Sequence, residues 1–230
     1  MDKVAVDIDK TIELGNTNSG SIQKTFFGAN FLLGRDSFSG TFNEKIDYMN
    51  VNLLRYPGGG IAEETFDINN PNDVPASLTG TFEGLSNFLA ICASSDIAAV
   101  IVIPTKIYAD SLDQGVADLA TFVERLNSGE FGNPEGVILE IGNEYYVNNS
   151  SEVPELTAQQ YGEIAVEFAK TIVDLANFNP KIAIQTGKTS DQNLEIISEF
   201  ETAGAQSEVV ARFRPVCSLV KVDQGSISGC

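Results

Sequence analysis

Ile97-Ala98-Ala99-Val100-Ile101-Val102-Ile103-Pro104 is apolar at every position and closes on a proline. A strand with water on one side alternates apolar and polar residues. A strand with no wet face does not, and an unbroken apolar run of this length is the pattern of a parallel sheet covered on both sides. Outward from this run the same unit recurs: a short apolar stretch, a loop, then a helix-period segment. Residues 26–32 read as a strand followed by a helix over 42–50, and residues 51–56 as a strand ended by Pro57-Gly58-Gly59-Gly60. A helix is expected over 81–94, with Phe82, Leu85, Phe88, Leu89 and Cys92 on one face. After the 97–104 strand come a helix over 116–126, a strand over 137–141, a helix over 158–176, a strand over 182–185 and a helix over 193–200. Strict alternation of β and α predicts an α/β fold with a parallel sheet. The strands recur about every 39 residues, so eight units would need roughly 310, within the range of an eight-stranded barrel. The pattern stops after five, which means an open sheet or an incomplete barrel.

The chain has 230 residues, with 14 basic against 32 acidic side chains and a net charge of −18. That field repels phosphate and sets the chain against nucleic acid as a partner. At 43% apolar and 20% charged it is globular and not a disordered acidic tail. The absence of histidine excludes imidazole-dependent triads and His-ligated metals. Cys92, Cys217 and Cys230 form no C-x-x-C pair, so neither a zinc site nor a disulfide framework is indicated, and no cofactor is expected. No apolar run reaches the length of about 18 residues that a membrane span needs. Met1-Asp2-Lys3-Val4-Ala5-Val6-Asp7 carries acids where a signal peptide would carry an apolar core. Three regions are expected: a strand and polar linker over 1–23, β/α units over 24–208, and a tail over 209–230. The tail, irregular or non-native, is basic (Arg212, Arg214 and Lys221 against Asp223) where the rest is acidic.

The strongest local signal is Ile138-Leu139-Glu140-Ile141-Gly142-Asn143-Glu144-Tyr145-Tyr146. An apolar strand delivers an Asn-Glu pair to its C-terminal end, the edge where parallel α/β sheets bind ligands. Glu144 in a closed mouth suits a general acid, Asn143 a hydrogen bond to a substrate hydroxyl, and the tyrosine faces a stack against sugar rings. The bland alternative is a solvated loop glutamate. Leu53-Leu54-Arg55-Tyr56-Pro57-Gly58-Gly59-Gly60 is the second signal. An arginine at a strand end can keep a neighbouring acid ionised, and glycines allow close backbone approach to a ligand. No Lys-Ser/Thr follows and Glu63-Glu64 would repel phosphate, so a nucleotide loop does not fit; a tight turn with a surface arginine does. Asp67-Ile68-Asn69-Asn70-Pro71-Asn72-Asp73 lacks the glycine and final glutamate of a calcium loop and reads as a turn.

Val4-Ala5-Val6-Asp7-Ile8-Asp9-Lys10-Thr11 resembles the first motif of haloacid-dehalogenase-type phosphatases. That resemblance would make Asp7 the nucleophile and Asp9 the acid/base beside Mg²⁺. Lys10 stands where that motif has glycine, and a plain alternating strand explains the spacing equally well.

Taken together, FFGANF (26–31), LRYPGGG (54–60) and EIGNEYY (140–146) resemble the clan of retaining glycoside hydrolases built on a (β/α)₈ barrel. The arabinofuranosidase, β-xylosidase and β-glucuronidase-like branches are nearest. The resemblance covers residues 24–205 and implies a TIM-barrel-type fold truncated to about five units. In that clan the N-terminal strand, here over residues 3–8, joins a β-sandwich. The resemblance implies a carbohydrate substrate of plant or algal type, an extracellular setting, Glu144 as acid/base, and Asn143, Arg55, Tyr145, Tyr146 and Asn30 as substrate-binding residues, with no metal and no cofactor. The clan's nucleophile is a second glutamate ending the seventh strand, beyond five units. The chain alone is therefore expected to bind sugars weakly, to hydrolyse them negligibly, and to self-associate through exposed sheet edges. The alternatives are a non-catalytic carbohydrate- or partner-binding fragment and, third, the Mg²⁺-dependent phosphatase.

Overall fold

The computed structural model describes residues 28–204 apart from 79, 149, 151 and 152. The N-terminal strand with Asp7 and Asp9, and the basic tail over 209–230, lie outside the described residues. Within them the chain runs β1 (Gly28–Asn30), α1 (Thr41–Tyr48), β2 (Leu53–Tyr56), α2 (Ile61–Glu64), α3 (Leu85–Ser94), β3 (Ala98–Ile103), a 3₁₀ turn (Lys106–Tyr108), α4 (Leu112–Asn127), β4 (Ile138–Ile141), α5 (Ala158–Leu175), β5 (Lys181–Ile184) and α6 (Ser190–Thr202). The α/β alternation read from the sequence is present. Among the described residues no helix is long and apolar enough to cross a membrane.

All five strands are parallel and lie side by side in chain order, β1-β2-β3-β4-β5. Crossovers between parallel strands are right-handed, so a sheet laid down in sequential order receives every helix on the same face. The core agrees. Leu54, Tyr56, Ile101, Ile103, Leu139, Ile141 and Ile182 form one apolar cluster with Phe88, Phe122, Ile164, Phe168, Ile172 and Ile196 from α3, α4, α5 and α6. The pleat sends the alternate residues to the other face. There the register aligns Asn30, Arg55, Val100 and Ile138 in one row across the sheet and Val102, Glu140 and Ala183 in the next. Val100, Val102, Glu140 and Ala183 are buried too, so β3 has no wet face, as its composition requires.

Element edges differ from the sequence reading where a turn intervenes. The third helix begins at Leu85, not 81: Gly84 is extended at its N-cap, and Thr81 pairs with Gly34 as an isolated antiparallel bridge. The first strand is only three residues long, because after Asn30 the chain turns, with Leu32 N–H donating to the Asp36 carboxylate at 2.7 Å. The fourth helix begins at Leu112, four residues early, and holds Gly115 in its first turns. A Cβ at Gly115 would lie 2.7–3.0 Å from the side chains of Tyr108 and Phe168. The glycine marks a close approach there and not a helix break.

Candidate functional site

The C-terminal ends of the five strands lie along one sheet edge, and the polar side chains they carry meet on the face away from the helices. The centre is an ion pair between Arg55 of β2 and Glu140 of β4. Arg55 Nε donates to Glu140 Oε2 at 2.5 Å and Nη2 donates to Oε1 at 3.0 Å, a bidentate fork. β3 lies between these strands and contributes Val100 and Val102 to this face, which leaves room for the arginine to reach across. Gln185, just past β5, also donates to Glu140 Oε1. Arg55 Nη2 further donates to Asn143 Oδ1 at 2.9 Å, and Nη1 to Asn30 Oδ1 at 3.4 Å. One guanidinium thus links the ends of β1, β2 and β4. Of the residues singled out in the sequence, the structure brings Asn30, Arg55 and Asn143 together.

Asn143 is buried, with its Oδ1 held by Arg55 and its Nδ2 without a partner among the described residues. A buried donor left unpaired costs about 1–3 kcal/mol. Glu144 follows, exposed, with φ 41°. Among the described residues two other non-glycine positions have positive φ: Asn50 and Asp96, each closing a helix, where a left-handed residue is an ordinary cap. Glu144 closes no helix, and a glutamate there carries strain of the order of 1 kcal/mol, which structures tolerate chiefly at functional positions. The preceding Gly142 has φ 80°, and a Cβ on it would sit 2.9 Å from both Thr105 Oγ1 and the Tyr161 ring. Only glycine lets the chain leave β4 by this route.

The two tyrosines part company. Tyr146 is half-buried and carries the Lys188 ammonium 4.4 Å above its ring, at the rim of the edge. Tyr145, expected as a sugar platform, is fully buried and stacked on Tyr161 at 4.6 Å with an interplanar angle of 8°. Its face is used in the core, so the expectation of a sugar stack on Tyr145 is corrected. Burial pushes its hydroxyl up to about 12. Tyr161 completes the support: its hydroxyl donates to Ile141 O and accepts from Gln185 N, both at 2.7 Å.

Three participants are not among the site residues the sequence singles out. Glu140 sits inside an apolar run, but period two puts it with Ile138 and not with Leu139 and Ile141, so its place on the site face is readable from the alternation. Gln185 ends the fifth strand with no motif around it. Glu63, which in the sequence stands as an acid repelling phosphate, is instead buried and turned inward. Its carboxylate accepts from Thr105 N, Thr105 Oγ1, Lys106 N and Asn143 N. Nothing in the local sequence signals this, since the donors lie 42 to 80 residues away.

Among the described residues no group of three or more Cys, Asp or Glu side chains is placed to hold a metal ion. Two grooves lie away from the polar edge, one of about 610 Å³ on the helix layer between α4, α5 and α6, the other of about 470 Å³ by the strand starts near Asn52 and Val137. Neither gathers side chains suited to a reaction. No model of a known protein family matches the chain, and no curated protein matches it.

Proposed function

We propose that this chain forms the first five β/α units of a (β/α)₈ barrel of a retaining glycoside hydrolase, with Glu144 as the acid/base. The observation that carries the proposal is Glu144 itself: an exposed carboxyl held in a left-handed backbone beside Asn143, at the strand edge where parallel sheets bind ligands. Sequential strand order with one helix layer supports a barrel over a doubly wound sheet, whose strand order reverses at a switch point.

In this reading Glu144 gives its proton to the departing glycosidic oxygen and later takes one from water. Asn143 Nδ2 donates to a hydroxyl of the sugar, in an orientation fixed by Arg55 on Oδ1. Glu140 is not the nucleophile. Its Oε2 accepts from Arg55 Nε, and its Oε1 from Arg55 Nη2 and Gln185 Nε2; it balances and aims the guanidinium. Retention needs a second carboxyl about 5–5.5 Å from the acid, and in the clan this chain resembles it comes from the seventh strand.

The test is turnover of aryl arabinofuranosides, xylosides, glucosides and glucuronides by the purified chain and by Glu144→Gln. Without its nucleophile such a site loses several powers of ten in rate, so negligible hydrolysis is expected. Turnover well above background and equal in both proteins would remove Glu144 from the mechanism. Robust turnover abolished in Glu144→Gln would keep the acid and overturn the need for a distant nucleophile. A second reading, a non-catalytic carbohydrate-binding unit, is favoured by Glu140 being tied to Arg55 and Gln185, which leaves it engaged and not available as a partner for Glu144 in catalysis; sugar binding unchanged in Glu144→Gln would support it.

A further inference from the structure

Glu63 lies in α2, a single turn that follows Gly58-Gly59-Gly60, and is 1% exposed. Its Oε2 accepts from the backbone N–H groups of Thr105 at 2.8 Å and Lys106 at 2.9 Å. Its Oε1 accepts from Thr105 Oγ1 at 3.1 Å and from the backbone N–H of Asn143 at 2.8 Å. Burial pushes its carboxyl upward, while the three backbone N–H groups and the nearby Lys106 ammonium pull it back. A buried carboxylate is costly unless its lone pairs are filled, and here all of them are. An apolar side chain in the same space would leave the N–H groups of Thr105, Lys106 and Asn143 unpaired, so the carboxylate is what ties the loops after β3 and β4 to α2. Its donors sit on the loops after β3 and β4, at the strand edge of the site, and the last donor is the N–H of Asn143, in the Gly142–Asn143 peptide one residue ahead of Glu144.

We infer that Glu63 is a positioning residue for the Asn143-Glu144 pair, fixing the peptide from which the Asn143 side chain and the strained Glu144 backbone leave β4. The inference rests on the glycosidase reading only in taking Glu144 as an acid/base. The geometry predicts an unequal response to Glu63→Gln. The new amide must place its NH₂ at one of the two oxygen positions. At the Oε2 position it would face two backbone N–H donors. At the Oε1 position it would face the Thr105 hydroxyl, which can turn to accept, and the Asn143 N–H, which cannot. The second choice costs less, so the substitution releases Asn143 and spares Thr105 and Lys106.

The experiment is residue-resolved amide exchange by NMR on the whole chain. In Glu63→Gln the Asn143 amide is expected to exchange about tenfold faster or beyond, as loss of a hydrogen bond to a charged acceptor implies, and to shift upfield, with Thr105 and Lys106 little changed. Thr105→Val, which removes only the hydroxyl, should leave the Asn143 amide protected. Equal acceleration at all three amides, or at none, would overturn the inference, because a merely structural acid would loosen its partners together. Should Glu63→Gln not fold, the wild-type chain is read instead: the Asn143 amide, 2.8 Å from a charged acceptor, is expected far downfield and strongly protected, and an Asn143 amide that exchanges as fast as a solvent-exposed loop amide overturns the inference. Titration of the wild type with methyl β-xyloside, methyl α-arabinofuranoside and methyl β-glucuronide separates the two ideas. Selective release of Asn143 with no sugar-induced shift at Asn143 or Glu144 sinks the glycosidase reading and leaves the positioning in place.

Discussion

At residue scale the site holds two carboxylates whose substitution should move stability in opposite directions. Glu140 is buried and shares a bidentate ion pair with an arginine whose side chain is 14% exposed. Removing one partner strands the other charge, so Glu140→Ala is expected to cost about 3–5 kcal/mol in urea denaturation. Glu144 makes no such pair and carries backbone strain, so Glu144→Gly should raise stability by about 0.5–1 kcal/mol. A gain in stability on removing the carboxyl proposed as the acid would mark a position shaped by chemistry and not by folding. Arg55 is legible from the sequence as an arginine beside an acid, but the sequence does not say which acid, and the one it grips is Glu140 and not the exposed Glu144. Glu63 is not legible, because a carboxylate that takes its donors from two distant loops leaves no spacing to read.

Among elements, strands are easier to read than helix starts. From β2 to β5 each strand is centred on an apolar run, whereas a helix begins where a cap satisfies its first N–H groups, often before the apolar period shows. Thr189 and Gln192 make this plain. They form a capping box, each side chain accepting from the other's backbone N–H, and start α6 at Ser190, three residues before the apolar period suggests. The same Gln192 oxygen accepts from Lys188 N at 2.7 Å, and Asn193 Oδ1 holds Gly187 N at 2.7 Å. The cap of α6 therefore also anchors the loop that sets Lys188 over Tyr146. Thr189→Ala should cost about 1 kcal/mol and, in the same exchange experiment, raise the rates of Gly187 and Lys188 ahead of the rest of α6.

For the whole molecule, burial of acidic protons sets a limit at high pH. Burial pushes the Cys92 thiol and the Tyr145 hydroxyl each up to about 12, and raises Tyr56, Tyr108 and Tyr161 as well. Folded values above unfolded ones mean that the unfolded chain releases these protons first. Their contribution is complete below about pH 9 and is lost as pH climbs towards 12, so the melting temperature should fall through that window. Tyrosinate absorbance from the buried rings should rise with unfolding and not before it. The alternation of β and α is readable across the described chain because it is local. The charge network is not, because it is the least local feature of the fold, and that distance has a consequence during synthesis. Arg55 leaves the ribosome 85 residues ahead of Glu140, and at 5–20 residues per second the interval is roughly 4–17 s. Glu63 waits 80 residues for Asn143. Through that interval Arg55 lacks its carboxylate, and Glu63, which meets Thr105 and Lys106 first, lacks the last of its donors. The polar edge therefore closes only when β4 and the loop after it have been made, and slower synthesis between residues 55 and 143 lengthens the time during which it stays open.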